Sequence, residues 1–105
     1  MYRDAELLYR TTLARSPDCW LAHNNLGLAW SEQPGRLNDA IARFRETVRL
    51  RPDHASGWYN LGASLGNLGD MPAAAAAFRE ELRLSPNDLE AQQALAEALQ
   101  QSKGR

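Results

Sequence analysis

The chain is poor in the residues that carry chemistry or cross membranes. Its single cysteine, Cys19, cannot form an internal disulfide, and without a second thiol or a Cys-x-x-Cys pair no redox couple or zinc site can be built on sulfur. No apolar run approaches the roughly 18 residues of a membrane span, and Met1-Tyr2-Arg3-Asp4-Ala5-Glu6 mixes charges too early for a signal peptide. An excess of one charge is missing as well. With 12 basic and 13 acidic residues, no long-range field draws the chain to nucleic acid or an anionic membrane. The two histidines, His23 and His54, have no thiol or carboxylate pair at metal-ligand spacing, and no Walker-type loop, GxSxG or GxGxxG is present. No catalytic residue, metal or cofactor is therefore assigned. A cytoplasmic setting is expected, since a lone thiol suits a reducing compartment.

What the chain does contain is a repeat. Asn25-Leu26-Gly27 overlays Asn60-Leu61-Gly62, and Ala40, Phe44 and Pro52 overlay Ala74, Phe78 and Pro86, at an offset of 34 or 35 residues. Pro17, Pro52 and Pro86 fall at the same interval. Each proline stops one helix by pushing the preceding residue out of the α region, and the following Asp18, Asp53 or Asn87-Asp88 is expected to cap the next. Second breaks fall at Gln33-Pro34-Gly35 and Leu68-Gly69-Asp70, where glycine is expected to supply a left-handed C-cap. Helices are predicted near 3–15, 20–32, 37–50, 55–67, 71–84 and 88–101, with no strands. Leu37, Ala40, Ile41, Phe44 and Val48 recur at helical spacing, as do Trp58, Leu61, Gly62 and Leu65. The run Ala73–Ala77 has high helix propensity and admits close neighbours. Gly62, Gly66 and Gly69 read as close helix packing followed by a cap.

These residues resemble the tetratricopeptide repeat family, whose pattern is a large residue, then Leu-Gly, then an aromatic, with Ala, Phe and Pro in the second helix. The resemblance implies an all-α, right-handed solenoid of antiparallel helix pairs, one domain over 1–105. Residues 2–17 form the second helix of a partial repeat, 20–54 and 55–88 two repeats, and 89–102 a capping helix. The departures from the pattern are His23 and Gln92 at the large-residue position. Thr47 and Glu81 replace the small alanine late in the second helix, where looser or partly solvated packing is expected. Tyr2, Leu8, Tyr9 and Leu13 of the first helix lack a preceding partner and share between one neighbour and water.

In such a family the first helices line a concave face, and their outward stripe is the candidate groove. Helical spacing assigns to it Asn24, Asn25, Leu28 and Glu32, then Ser56, Tyr59, Asn60, Ala63 and Asn67, then Gln93 and Glu97. Asn25 and Asn60 occupy the same position before Leu-Gly. A stacked pair of carboxamides matches the C=O and N–H of a peptide unit, resembling the asparagine ladder of some family arrays; bonding of each amide to a neighbouring helix is the alternative. Trp58, Trp20 and Trp30 are read as packing. The implied function is a non-catalytic scaffold binding an extended, neutral or mildly basic segment of another protein. The Lys-Asn-Arg clamp by which some members grip chaperone tails is absent from the stripe, and Glu32, Glu90 and Glu97 would repel a terminal carboxylate, so such a tail is not the expected partner. Arg43, Arg45, Arg49, Arg51, Arg79 and Arg83 gather on second helices, tempered by Glu46, Glu80 and Glu81. Two alternatives stand beside this reading. One is a homo-oligomer stacked through the first helix. The other is the repeat part of a larger glycosyltransferase-like membrane protein, since the opening Tyr2–Arg10 resembles arrays that follow multi-span segments.

Overall fold

A computed structural model describes the backbone of residues 2–103 and the side chains of 5–103, so the Tyr2 side chain lies outside the described residues. Six helices follow in order: α1 (Tyr2–Arg15), α2 (Trp20–Ser31), α3 (Leu37–Leu50), α4 (Ala55–Leu68), α5 (Met71–Leu84) and α6 (Leu89–Lys103). Each packs against its chain neighbours. In addition α2 touches α4 and α4 touches α6, whereas among the described residues no Cα of α1, α3 or α5 comes within 8 Å of another of the three. The even-numbered helices therefore form the tighter inner layer and the odd-numbered ones splay outside, over an extent of 42 × 28 × 19 Å.

The pattern Gly…Phe has a direct steric cause. A Cβ at Gly27 would lie 2.7 Å from the Phe44 ring, and one at Gly62 would lie 2.7 Å from the ring of Phe78. Each ring fills the space that glycine leaves, so the two helices of a pair meet ring against backbone. Phe44 and Phe78 sit with Leu61, Leu65, Ile41 and Val48 in one core, joined by Ala74, Ala75 and Ala77 from the alanine run. Small side chains there let α5 lie close to both α4 and α6. Thr47 and Glu81, expected in loose or solvated packing, are buried at 0% and 2% exposure. The reason differs at the two sites. Thr47 Oγ1 turns back to the Arg43 carbonyl at 3.0 Å, leaving its methyl to meet Gly57. Burial raises the Glu81 carboxyl toward its neutral form, as described below.

Helix ends correct the sequence reading in part. Gly69 (φ 97°) closes α4, with its N–H bonded to Gly66 O and that of Asp70 to Leu65 O. Gly35 is also left-handed at φ 80°, but α2 has already stopped at Ser31, with Glu32 right-handed as its C-cap. Gly35 turns the loop and caps nothing. Asp18 and Asp53 do not cap either, because the N-cap falls two residues after each proline: at Cys19, at His54 and at Asp88. Of these three only Asp88 caps with its side chain, its carboxylate taking the N–H groups of Glu90 (3.1 Å) and Ala91 (3.4 Å). Asp70 caps α5 through Ala73 N.

A different bond ties every inner helix to the preceding turn. Six residues after each proline, a side-chain nitrogen reaches that proline's carbonyl: His23 Nε2 to Pro17 O at 2.8 Å, Trp58 Nε1 to Pro52 O at 2.8 Å, Gln92 Nε2 to Pro86 O at 2.9 Å. The unusual His23 and Gln92 are explained by this contact. Arg43 Nη1 donates to His23 Nδ1 at 3.0 Å, and a guanidinium has no lone pair to accept with. His23 thus carries its hydrogen on Nε2 and donates it to Pro17.

Candidate functional site

The inner helices carry neighbouring polar residues that face in opposite senses along the array. Asn24 faces forward from α2, and Asn60 faces back from α4. Their carboxamides meet, Asn60 Nδ2 donating to Asn24 Oδ1 at 3.2 Å. The expected pairing of Asn25 with Asn60 is not what the structure brings together. Asn25, equivalent to Asn60, also faces back and lies beside α1. Asn24 is buried at 7% exposure, which withdraws it from a ligand, while Asn25 and Asn60 are half-buried. Asn60 keeps its carbonyl oxygen and one N–H beyond the rung.

Two hollows flank this amide rung. Toward α1 lies one of about 260 Å³, where Asn25, Leu28 and Glu32 meet Ala5 and Tyr9. Toward α6 lies one of about 280 Å³, where Tyr59, Ala63, Asn67 and Glu97 stand around a floor of Phe78, Met71 and Ala74. Gly62, Gly66, Ala94, Ala98 and Gln101 complete its walls. Ser56 and Gln93 are exposed but border neither hollow. The spacing of the inner helices could have revealed Gly66 and Gln101, which lie four residues beyond Gly62 and Glu97. Met71 and Tyr9 belong to outer helices, and no pattern confined to the inner stripe finds them.

Tyr59 serves two surfaces. Its ring tilts against Phe78 at 5.7 Å, and its hydroxyl reaches the Glu90 carboxylate on α6. Burial, then the negative charge of Glu90, raises its pKa. Glu81 lies behind this wall. Its carboxyl is pushed up to about 7, first by burial and then by a hydrogen bond to Asp88. One of its oxygens, Oε2, has no partner.

The outer face is held by short-range pairs along single helices, Arg49 with Glu46 at 2.8 Å and Arg83 with Glu80 at 3.3 Å. The Arg49 guanidinium holds the Glu46 carboxyl below its usual range. Trp58 packs on the core, as does Trp30 with the Arg36 guanidinium 4.2 Å from its ring centre. Trp20 lies instead at the turn edge, 4.7 Å from the His54 ring with Arg51 over it. Among the described residues no three His, Cys, Asp or Glu side chains converge as metal ligands, and no helix is long and apolar enough to cross a membrane.

Comparison with known proteins agrees with this architecture. The chain is 43% identical over 63 residues to an Hsp70-Hsp90 organizing protein of Triticum aestivum, a match covering 60% of this chain and 11% of that protein. It is 34% identical over 83 residues to cellulose synthase 2 operon protein C of Komagataeibacter xylinus, covering 79% of this chain and 6% of the relative. The chain thus spans a small part of the curated relatives it matches. In fold it resembles a crystal structure of MamA (TM-score 0.90, 24% identity, 98% of this chain and 59% of that one). It resembles equally the first TPR of Spaghetti (RPAP3) bound to HSP90 peptide SRMEEVD (TM-score 0.88, 21% identity, 94% and 78%). The tetratricopeptide repeat pattern itself matches residues 2–34 and 32–88, so this chain, six helices in antiparallel pairs, belongs to the tetratricopeptide repeat family, whose domains generally mediate protein–protein interaction.

Proposed function

We propose that this domain is a scaffold that binds an extended segment of another protein along its inner face, with repeat units at 20–54 and 55–88 flanked by the helical elements 2–17 and 89–102. The observation that carries the reading is the pair of hollows on one inner surface, separated by the Asn24–Asn60 rung. Asn25 lines one hollow and the free half of the Asn60 amide stands at the rung between the two, and both are groups that hydrogen-bond a peptide backbone without reading its side chains. The ligand-facing set is then Asn25, Leu28, Glu32, Asn60, Tyr59, Ala63, Asn67 and Glu97, with Ser56 and Gln93 at the margins and Asn24 as support. For so small a surface, affinity of micromolar order is expected. The partner is neutral or mildly basic and not a free acidic tail, since Glu97 and Glu32 line the hollows where an anionic ligand would need cations. The lone, partly exposed Cys19 thiol suits a cytoplasmic setting.

The test is capture of partners from the native source on immobilised wild-type domain and on Asn25→Ala/Asn60→Ala. Loss of the captured species from the double variant is expected, and equal capture by both overturns the reading. A second reading, self-association through α1, is favoured by Leu7 and Leu8, which are 66% and 61% exposed. Sedimentation over a wide concentration range separates the two, because a monomer at high concentration removes self-association.

A further inference from the structure

Gly66 is a cost without a visible return. It sits inside α4, where glycine is less favourable than alanine by roughly 1 kcal/mol. Gly27 and Gly62 are explained by a phenylalanine ring that a Cβ would strike. A Cβ on Gly66, in contrast, would meet only the Ala74 methyl, at an ordinary 3.9 Å. Packing does not require this glycine. What its missing side chain does is keep open the hollow between α4, α5 and α6.

That hollow has the make-up of a side-chain socket. Its volume of about 280 Å³ is at the lower limit for a small-molecule site, the floor is the Phe78 ring and Met71, and the polar side chains around it are Asn67, Gln101, Glu97 and Tyr59. No Lys or Arg lines it. Glu97 is exposed, and Glu90 lies seven residues earlier on the same helix. The wall that α6 contributes is therefore anionic beside an apolar floor. The geometry points to a socket for one leucine-, isoleucine- or methionine-sized side chain of an extended partner segment that carries lysine or arginine two residues away, against Glu97. In an extended chain residues i and i+2 share a face at roughly 7 Å, which carries the cation from the socket to its rim. This inference rests on the inner face being a protein-binding surface and adds which side chains that surface reads.

The experiment is an amide-shift titration of the whole 105-residue chain with three capped peptides. They are acetyl-Ser-Leu-Ser-Lys-Ser-amide, the same peptide with alanine for leucine, and the same with glutamate for lysine. The leucine–lysine peptide is expected to shift Gly62, Ala63, Gly66 and Ala98. Loss of the leucine weakens binding by about tenfold or more, as burial of its carbons requires. Charge reversal weakens it by about fivefold at low salt, a gap that narrows near 0.5 M salt. Gly66→Ala raises the thermal midpoint yet weakens the leucine peptide about fourfold, the worth of one methyl-sized contact. A structural defect would move both readouts downward together. Equal binding of the leucine and alanine peptides, indifference to charge reversal, or full affinity in Gly66→Ala overturns the socket while leaving inner-face binding intact. Shifts confined to the outer helices, or none with any peptide, overturn both.

Discussion

Replacing Glu81 with glutamine isolates the cost of one buried carboxyl. Glu81 is 2% exposed and donates its proton to Asp88, the residue whose carboxylate caps α6. Burial and that bond raise its pKa from 4.5 to about 7. The folded protein therefore holds this proton more tightly than the unfolded chain does. The stabilisation is complete below about pH 4.5, declines as the pH rises, and is gone above about pH 7. The gap between 4.5 and about 7 corresponds to roughly 3 kcal/mol, of which roughly 2 is lost between pH 5.5 and pH 8. Glutamine keeps an N–H to give to Asp88 and has no proton to lose. Urea unfolding of both proteins at pH 5.5 and pH 8 measures the effect. Glu81→Gln is expected to gain roughly 2 kcal/mol on the wild type over that interval, which in thermal unfolding is a midpoint difference of about 10 °C for a chain of this size. Glu46 and Asp53, whose carboxyls are lowered by arginine partners, act at more acidic pH and in the opposite direction. Identical pH slopes in the two proteins would refute the account of Glu81 as an acid kept protonated by burial.

Three further outcomes follow from the packing and the charge. Gly62→Ala places a methyl 2.7 Å from the Phe78 ring and should lower stability by about 1–3 kcal/mol in chemical unfolding, whereas Gly66→Ala, one turn later, should raise it. Trp58→Phe keeps most of the ring but removes the N–H that reaches Pro52 O at 2.8 Å, and a loss of about 1 kcal/mol in the same assay is expected. The acidic peptide SRMEEVD, titrated by amide shifts, should leave Tyr59, Ala63 and Asn67 unmoved at low salt, because Glu97 rather than a cation stands beside them.

Helix order was legible in the sequence because a repeat states each boundary twice. Spacing marked Gly62 for close helix packing but did not name its partner, and the contacts of Gly27 with Phe44 and of Gly62 with Phe78 come from the structure. The inner surface was legible only as a stripe. Which neighbour a residue on that stripe faces depends on how far each helix is rotated about its axis, and a rotation of one residue decided between Asn24 and Asn25 as the partner of Asn60. Burial of Glu81 was hidden for another reason. A glutamate at a position usually small reads as a solvated side chain unless its proton is counted, and that proton depends on burial and on Asp88, seven residues away at the cap of the next helix. Capping failed at Asp18 and Asp53 because a proline followed by an acid looks like a cap whether or not the helix begins one residue later.

The oxygen of each repeat-closing proline is a keyhole that accepts more than one key. An imidazole, an indole and a carboxamide fit it in succession, with reaches of 2.8, 2.8 and 2.9 Å. The joint between repeats therefore selects for a hydrogen delivered at a given distance and is indifferent to aromaticity. A leucine there would satisfy a hydrophobicity score and still leave the lock unturned. Glutamine, which such a score would count as decay of the repeat, keeps it closed.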